Sequence, residues 1–275
     1  MTATQLLCAG LLVVSASIVG AQSPGDTTRE SKAQPTISDN SFLVEEAYNQ
    51  EAGVVQHISN LRRARDGSWL FTFTQEWPAP SQRHQLSYTV PLLSARESGR
   101  GLGDVMLNYR YQALGKDEER VWLSPRLSAI LPTGSTREGR GAGGPGAQVE
   151  LPLSVTLSEQ FVTHWNIGGT LTHARSIEGT GRVTRGVNAA ASVIWLLAPT
   201  VNLMLESAWE RVEALDDAGA RLSEEHLFLI PGVRTAINLS SGMQIVPGIG
   251  IPIGLGPTNG QRDIFVYFSV EHSFR

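Results

Sequence analysis

The chain has 275 residues, a formal charge of -4, 41% hydrophobic residues and 28 glycines. That length holds one large β domain or two ordinary ones. The near-balanced charge offers no basic patch for nucleic acid, and beyond the N-terminus no apolar run reaches the roughly 18 residues of a transmembrane helix. A β-barrel remains open to such a composition, because its apolar residues are spread over every second position.

Leu6 to Val19 is almost wholly apolar, and Val19, Gly20 and Ala21 place small residues before Gln22. Residues 1–21 therefore read as a secretory signal peptide, although the n-region MTATQ lacks the usual Lys or Arg. Cys8, the one cysteine, lies inside that stretch, so a mature chain would carry no disulfide and no thiol chemistry. Residues 22–50 read as a leader: Gln22 to Asn40 is polar, with Pro24, Gly25 and Pro35, in the manner of a disordered stretch. A short helical segment over Ser41 to Asn49 would follow, capped by Asn40 or Ser41, with Glu45 and Glu46 near its start. Its expected place is in the periplasmic mouth of a barrel or beneath it; the same pattern also fits a first strand.

Residues 51–275 break into about 12 alternating segments, near 53–60, 68–77, 83–93, 103–114, 121–132, 147–157, 161–173, 183–197, 200–212, 224–238, 242–254 and 262–275. The pattern is sharpest over Gly101 to Gly134. There Val105, Leu107, Tyr109 and Tyr111 alternate with Met106, Asn108, Arg110 and Gln112, and Leu127, Ala129 and Leu131 alternate with Arg126, Ser128 and Ile130. Side chains of a strand point to opposite faces with period two, and runs of about 11 residues suit a tilted strand crossing a bilayer. A soluble antiparallel sheet with one wet face shows the same alternation. The connections decide between the two. One set is short (Pro78–Gln82, Gly115–Arg120, Ser158–Gln160, Ala198–Pro199, Leu239–Ser241), and the set alternating with it is mostly longer and rich in charge and glycine (Leu61–Gly67, Ser94–Leu102, Thr133–Gly146, Ala174–Arg182, Glu213–Ser223, Leu255–Gln261). Short periplasmic turns and longer extracellular loops are features of outer-membrane barrels. The expected fold is therefore all-β: a transmembrane antiparallel up-and-down barrel of about 12 strands over 51–275, in a bacterial outer membrane. Trp69, Trp77, Tyr109, Tyr111, Trp165, Trp195, Trp209 and Phe274 fall near strand ends or on the lipid face, as interfacial aromatics do.

FLVEEAYNQEAGVVQHI at Phe42–Ile58, GLGDVMLNYRYQAL at Gly101–Leu114 and LSPRLSAILPTGS at Leu123–Ser135 resemble one family. It is the group of outer-membrane proteins named "MetA-pathway of phenol degradation", and the likeness spans most of the mature chain. The resemblance implies an outer-membrane barrel with a transport role; the pathway in the name is no guide to the solute. The chain departs from the usual aromatic C-terminus of outer-membrane barrels, since Arg275 follows Phe274.

Strand parity sends a set of polar residues to the lumen: Glu76, Asn108, Arg110, Arg126, Glu150, His164, Asn166, Glu206, Glu210, Arg234 and Glu271. An Arg or Lys facing lipid at the midplane costs about 2–4 kcal/mol, whereas in the lumen it meets water or an opposite charge. These residues either fill a narrow barrel as a salt-bridge network or line a pathway and set its charge selectivity. Arg110 and Arg126, on adjacent strands, would form a positive patch. A barrel of about 12 strands lies between side-chain-filled small barrels and open porins, so the lumen should be narrow.

No catalytic residue is assigned. The six histidines sit in no Gly-x-Ser-x-Gly setting, and HExxH and Cys/His clusters are absent, so neither cofactor nor metal is expected. Thr133–Gly146 is glycine-rich but lacks the Gly-Lys-Ser/Thr of a phosphate loop and reads as a flexible extracellular loop. The sequence thus points to a channel or transporter for a small solute, without energy coupling of its own. The other readings are a closed scaffold or interaction barrel, and an outer-membrane lipid hydrolase. Expected partners are outer-membrane lipid, the solute and, during biogenesis, the barrel-assembly machinery.

Overall fold

The computed structural model of the protein describes residues 36–95, 99–116 and 119–274. The expected signal peptide and the leader as far as residue 35 lie outside the described residues.

Twelve antiparallel strands form one closed barrel. They are β1 (Val54–Arg63), β2 (Trp69–Pro78), β3 (His84–Ala95), β4 (Gly99–Leu102 and Val105–Tyr111), β5 (Val121–Leu123 and Arg126–Leu131) and β6 (Gly146–Glu150 and Leu153–Thr156). They continue as β7 (Phe161–Arg175), β8 (Gly181–Ala198), β9 (Val201–Leu215), β10 (Arg221–Thr235 and Ile237–Asn238), β11 (Gln244–Gly250 and Ile253–Gly254) and β12 (Ile264–Ser273). Each pairs with its sequence neighbours. Closure comes from β12 against β1, in register from Val54↔Ser273 to Arg63↔Ile264. A closed ladder satisfies every backbone group without a free edge, which a lipid environment demands.

Facing follows the alternation. Leu107, Tyr109, Leu127, Ile167, Leu205 and Val266 are exposed on the outside, while Asn108, Ser128, Asn166, Glu206 and Tyr267 between or beside them are buried within. The outer wall is thus an apolar band. His84, Tyr109 and Tyr111 join in ring contacts at one end of it, where Phe161 also stacks on Trp195. These aromatics lie at the end that also holds residues 36 and 274, the edge at which amphipathic rings meet headgroups. A closed barrel with such a band belongs in a bacterial outer membrane.

Prolines mark three of the places where strands break. Pro125, Pro152 and Pro252 stand at the gaps in β5, β6 and β11, where a ladder donor is missing. Their carbonyls still accept bonds from Tyr111, Ser124 and Asp263, so pairing continues past each gap.

The loops differ from the expectation. Strands β7 to β10 run on beyond the apolar band, so the loops expected over Ala174–Arg182 and Glu213–Ser223 shrink to the turns 176–180 and 216–220. Both are five-residue hairpins closed by a glycine in the left-handed region, Gly179 (φ 91) and Gly219 (φ 89). Thr133–Gly146 is anchored rather than free. Asp104 accepts the backbone N–H of Gly134 at 2.9 Å and of Ala142 at 2.8 Å, and Thr133 Oγ1 donates to the Gly103 carbonyl at 2.7 Å.

Candidate functional site

The site is the lumen and what fills it. Residues 36–50 enter at the terminus-bearing end, rise inside the barrel and return to the same end before β1. Contrary to the helix expected over Ser41–Asn49, this stretch holds only bends. The reason lies in its hydrogen bonds: barrel side chains take the backbone groups that a helix would pair internally. Ile37 N–H donates to the Pro199 carbonyl at 2.9 Å at the entry. Near the exit, Asn49 Nδ2 donates to the Gln82 carbonyl at 2.9 Å and Gln50 N–H to Gln85 Oε1 at 2.8 Å.

Four charged side chains hold the segment between those ends. Glu206, wholly buried, accepts the N–H of Phe42 at 2.5 Å and of Leu43 at 2.9 Å. Arg110 donates to the Glu46 carbonyl at 3.0 Å, the Tyr48 carbonyl at 2.8 Å and Asn49 Oδ1 at 3.0 Å. Arg126 forms an ion pair with Glu45 at 2.8 Å and also donates to Asn108 and Gln148. Arg234 donates to the carbonyls of Ser38 and Asn40 and lies 4.5 Å from the centroid of the Tyr267 ring. Asn166 clasps Glu45 from both sides, accepting its N–H at 2.6 Å and donating to its carbonyl at 2.9 Å. Charge-assisted bonds of this kind are the stronger class of hydrogen bond.

Phe42 supplies the apolar anchor. Its ring centroid lies 5.2 Å from that of Phe265 and 6.0 Å from that of Tyr267, in a cluster with Ile194, Met204 and Ile230. The ring reaches the wall because β10 and β11 carry glycines there: a Cβ on Gly232 would stand 2.2 Å from the ring, and one on Gly250 2.8 Å.

Most of the residues singled out in the sequence meet this segment. Glu76 accepts Gln50 Nε2 at 3.1 Å, and His164 Nε2 contacts the Asp39 carbonyl at 3.0 Å. Asn108 touches it only through Arg126. Glu271 borders a cavity of about 450 Å³ beside Thr36 and Ser38. Glu150 and Glu210 stand apart, on the wall of a cavity of about 360 Å³ above Leu43. Glu150 accepts Asn188 Nδ2 at 2.5 Å. Within the segment, burial pushes the Asp39 carboxyl above its usual range, against the attraction of His164 and Arg234.

Arg110 and Arg126 are direct cross-strand partners, yet they form no free positive patch. Glu46 lies 3.8 Å from Arg110, and Glu45 neutralises Arg126. Three further neutral holders stand outside the set read from the sequence: Ser154 accepts Ala47 N–H at 2.8 Å, Ser192 Oγ meets Ser41 Oγ at 2.7 Å, and Asn202 donates to the Ser38 carbonyl at 2.9 Å. All three wall residues sit at inward positions of their strands, so parity alone would have found them. Ser154 also meets His164 Nδ1 at 2.7 Å. Both groups are buried beneath the segment and engaged by it. Among the described residues no cluster of three or more metal-ligating side chains occurs.

The fold and its contents define a class: an outer-membrane β-barrel whose lumen holds the stretch before the first strand. No protein-family model and no curated protein matches the chain. Solved structures share the fold. An outer-membrane channel from Pseudomonas putida F1 aligns over 83% of this chain and 98% of its own, with a TM-score of 0.58 at 11% identity. The NanC porin aligns over 80% of this chain and 99% of its own, with a TM-score of 0.52 at 8% identity.

Proposed function

We propose that the protein is an outer-membrane channel for passive passage of a small solute, closed at rest by residues 36–50. The observation that carries this reading is the way the segment is held. Glu206, Arg110, Arg126 and Arg234 bind it largely through its backbone, and one apolar side chain, Phe42, anchors it against a notch of glycines and the rings beside it. Polar contacts of that kind exchange for water when a segment leaves, because the net worth of each is only about 0.5–3 kcal/mol. The cavity of about 360 Å³ above Leu43 gives a solute somewhere to sit on the outer side of the segment, within the usual size of small-molecule sites of about 300–1,000 Å³. The motif likeness to the "MetA-pathway of phenol degradation" proteins agrees with a transport role, and the solute itself is not carried over from that name.

The depth of the same contacts favours a second reading, a permanently closed scaffold barrel. Swelling of liposomes that hold the refolded protein separates the two. Uncharged sugars of graded size should enter faster through protein lacking residues 36–50 than through the full mature chain. Equal, background-level swelling for both, from protein folded as shown by heat-modifiable migration, would support the scaffold and sink the channel.

A further inference from the structure

Strands β7 to β10 extend past the apolar band at the end opposite the chain termini, the side that faces the cell exterior in such barrels. On their outward faces arginines gather at the upper edge of the apolar wall, with the exposed Val183 among them. Leu171 and Val187 are exposed apolar residues of the wall. Leu171 pairs with Arg185, and Val187 pairs with Arg211. Arg185 and Arg211 are thus diagonal neighbours on one face, about 7–8 Å apart at the backbone. Arg221 reaches across β9 and donates to the Val183 carbonyl at 2.9 Å, which brings a third guanidinium alongside. Arg175 ends β7 on the same face, two positions beyond His173.

On this face two carboxylates, Glu213 and Glu225, stand among the four arginines. Glu213 lies among them, accepting Arg185 N–H at 3.1 Å and standing 3.9 Å from Arg221 Nε. Glu225 stands opposite Arg211 and also accepts Trp209 Nε1 at 2.8 Å. Arg211 donates to Ser223 Oγ at 3.1 Å, and the Arg185 side chain has no partner among the described residues. The acids of the hairpin tips, Glu178, Asp216 and Asp217, lie farther out. Exposed guanidiniums with free donors, fixed at the upper edge of a lipid-facing wall, match a phosphate on a planar membrane surface: the fork geometry of arginine suits phosphate oxygens, and the charge is opposite.

We infer that the outward face of β7 to β10 binds the phosphorylated glycolipid of the outer leaflet, with Arg185 and Arg211 holding one phosphate, Arg221 and Arg175 flanking it, and the acyl chains lying on the wall below. The inference does not depend on whether the barrel conducts. A free anion would find the same guanidiniums, but only a lipid also covers Leu171 and Val187.

The test is native mass spectrometry of the full mature protein in detergent, titrated with bis-phosphorylated lipid A, dephosphorylated lipid A or inorganic phosphate. The wild type should retain bis-phosphorylated lipid A with at least tenfold preference over the dephosphorylated form. R185Q/R211Q should lose that preference while folding normally, since both side chains are exposed, and E213Q should strengthen retention. Equal retention of the two lipids, unchanged retention by R185Q/R211Q, or inorganic phosphate displacing the lipid at equal concentration would overturn the assignment.

Discussion

At the scale of single residues, the glycines opposite Phe42 decide how the segment sits. Gly232, Gly248 and Gly250 face inward, and a side chain at any of them would strike the Phe42 ring or its close neighbours. Gly232→Ala should therefore unseat the segment without touching its polar holders. Phe42→Ala should do so by removing the anchor, at up to the about 3–5 kcal/mol that a buried Phe→Ala change costs. Limited proteolysis within residues 36–50 reads both, and cleavage no faster than in the wild type would contradict the notch. This arrangement was not legible in the sequence. In MQIVPGIGIPIG, residues 243–254, the inward positions past Gln244 and Val246 are glycine and proline, so alternation of polar and apolar residues does not mark a face there. The ring that fills the notch lies some two hundred residues earlier in the chain, in a stretch read as helical.

At the scale of elements, the strands were legible wherever one face meets lipid. Leu107 and Leu127 point outward and Asn108 and Ser128 inward, as alternation requires. Legibility fades where β7 to β10 leave the bilayer, because both faces are wet there: Ala174, Arg175, Gly181, Arg182, Glu213 to Leu215 and Arg221 to Ser223 belong to strands, although they fall in the loops expected over Ala174–Arg182 and Glu213–Ser223. The N-terminal segment failed differently. Its local capping signals were sound, but lumen side chains outcompeted the helix for its backbone groups. Facing itself is testable near the middle of β7. Ile167→Arg, on the lipid face, should cost about 2–4 kcal/mol of stability, whereas Thr170→Arg, on the wall of the cavity above Leu43, should cost less than 1 kcal/mol, as a solvated substitution does. Urea unfolding in lipid vesicles measures both, and equal costs would contradict the assigned faces.

At the scale of the whole molecule, the barrel and the segment share their charges. Glu45 and Glu46 come from the segment, and the arginines they face belong to β4 and β5. Removing residues 36–50 should leave Arg110 and Arg126 as the positive patch read from the sequence, set among the lumen carboxylates Glu76 and Glu150. R110Q/R126Q in that background should move the reversal potential in a salt gradient toward cations, and an unmoved potential would remove the pair from selectivity. Arg110, Arg126, Arg234 and Glu206 are engaged with the chain's own N-terminal stretch.

The most direct measurement locks that stretch in place. Ser41 and Ser192 touch through their hydroxyls at 2.7 Å, close enough for a disulfide in their stead, and Cys8 lies in the stretch read as signal peptide. Single-channel recording of S41C/S192C should show a silent barrel when oxidised and, once reduced, the brief openings of a segment free to leave, beside steady conductance in protein lacking residues 36–50. A locked barrel that conducts as freely as the deletion, or a folded deletion that stays silent, would contradict closure by the segment.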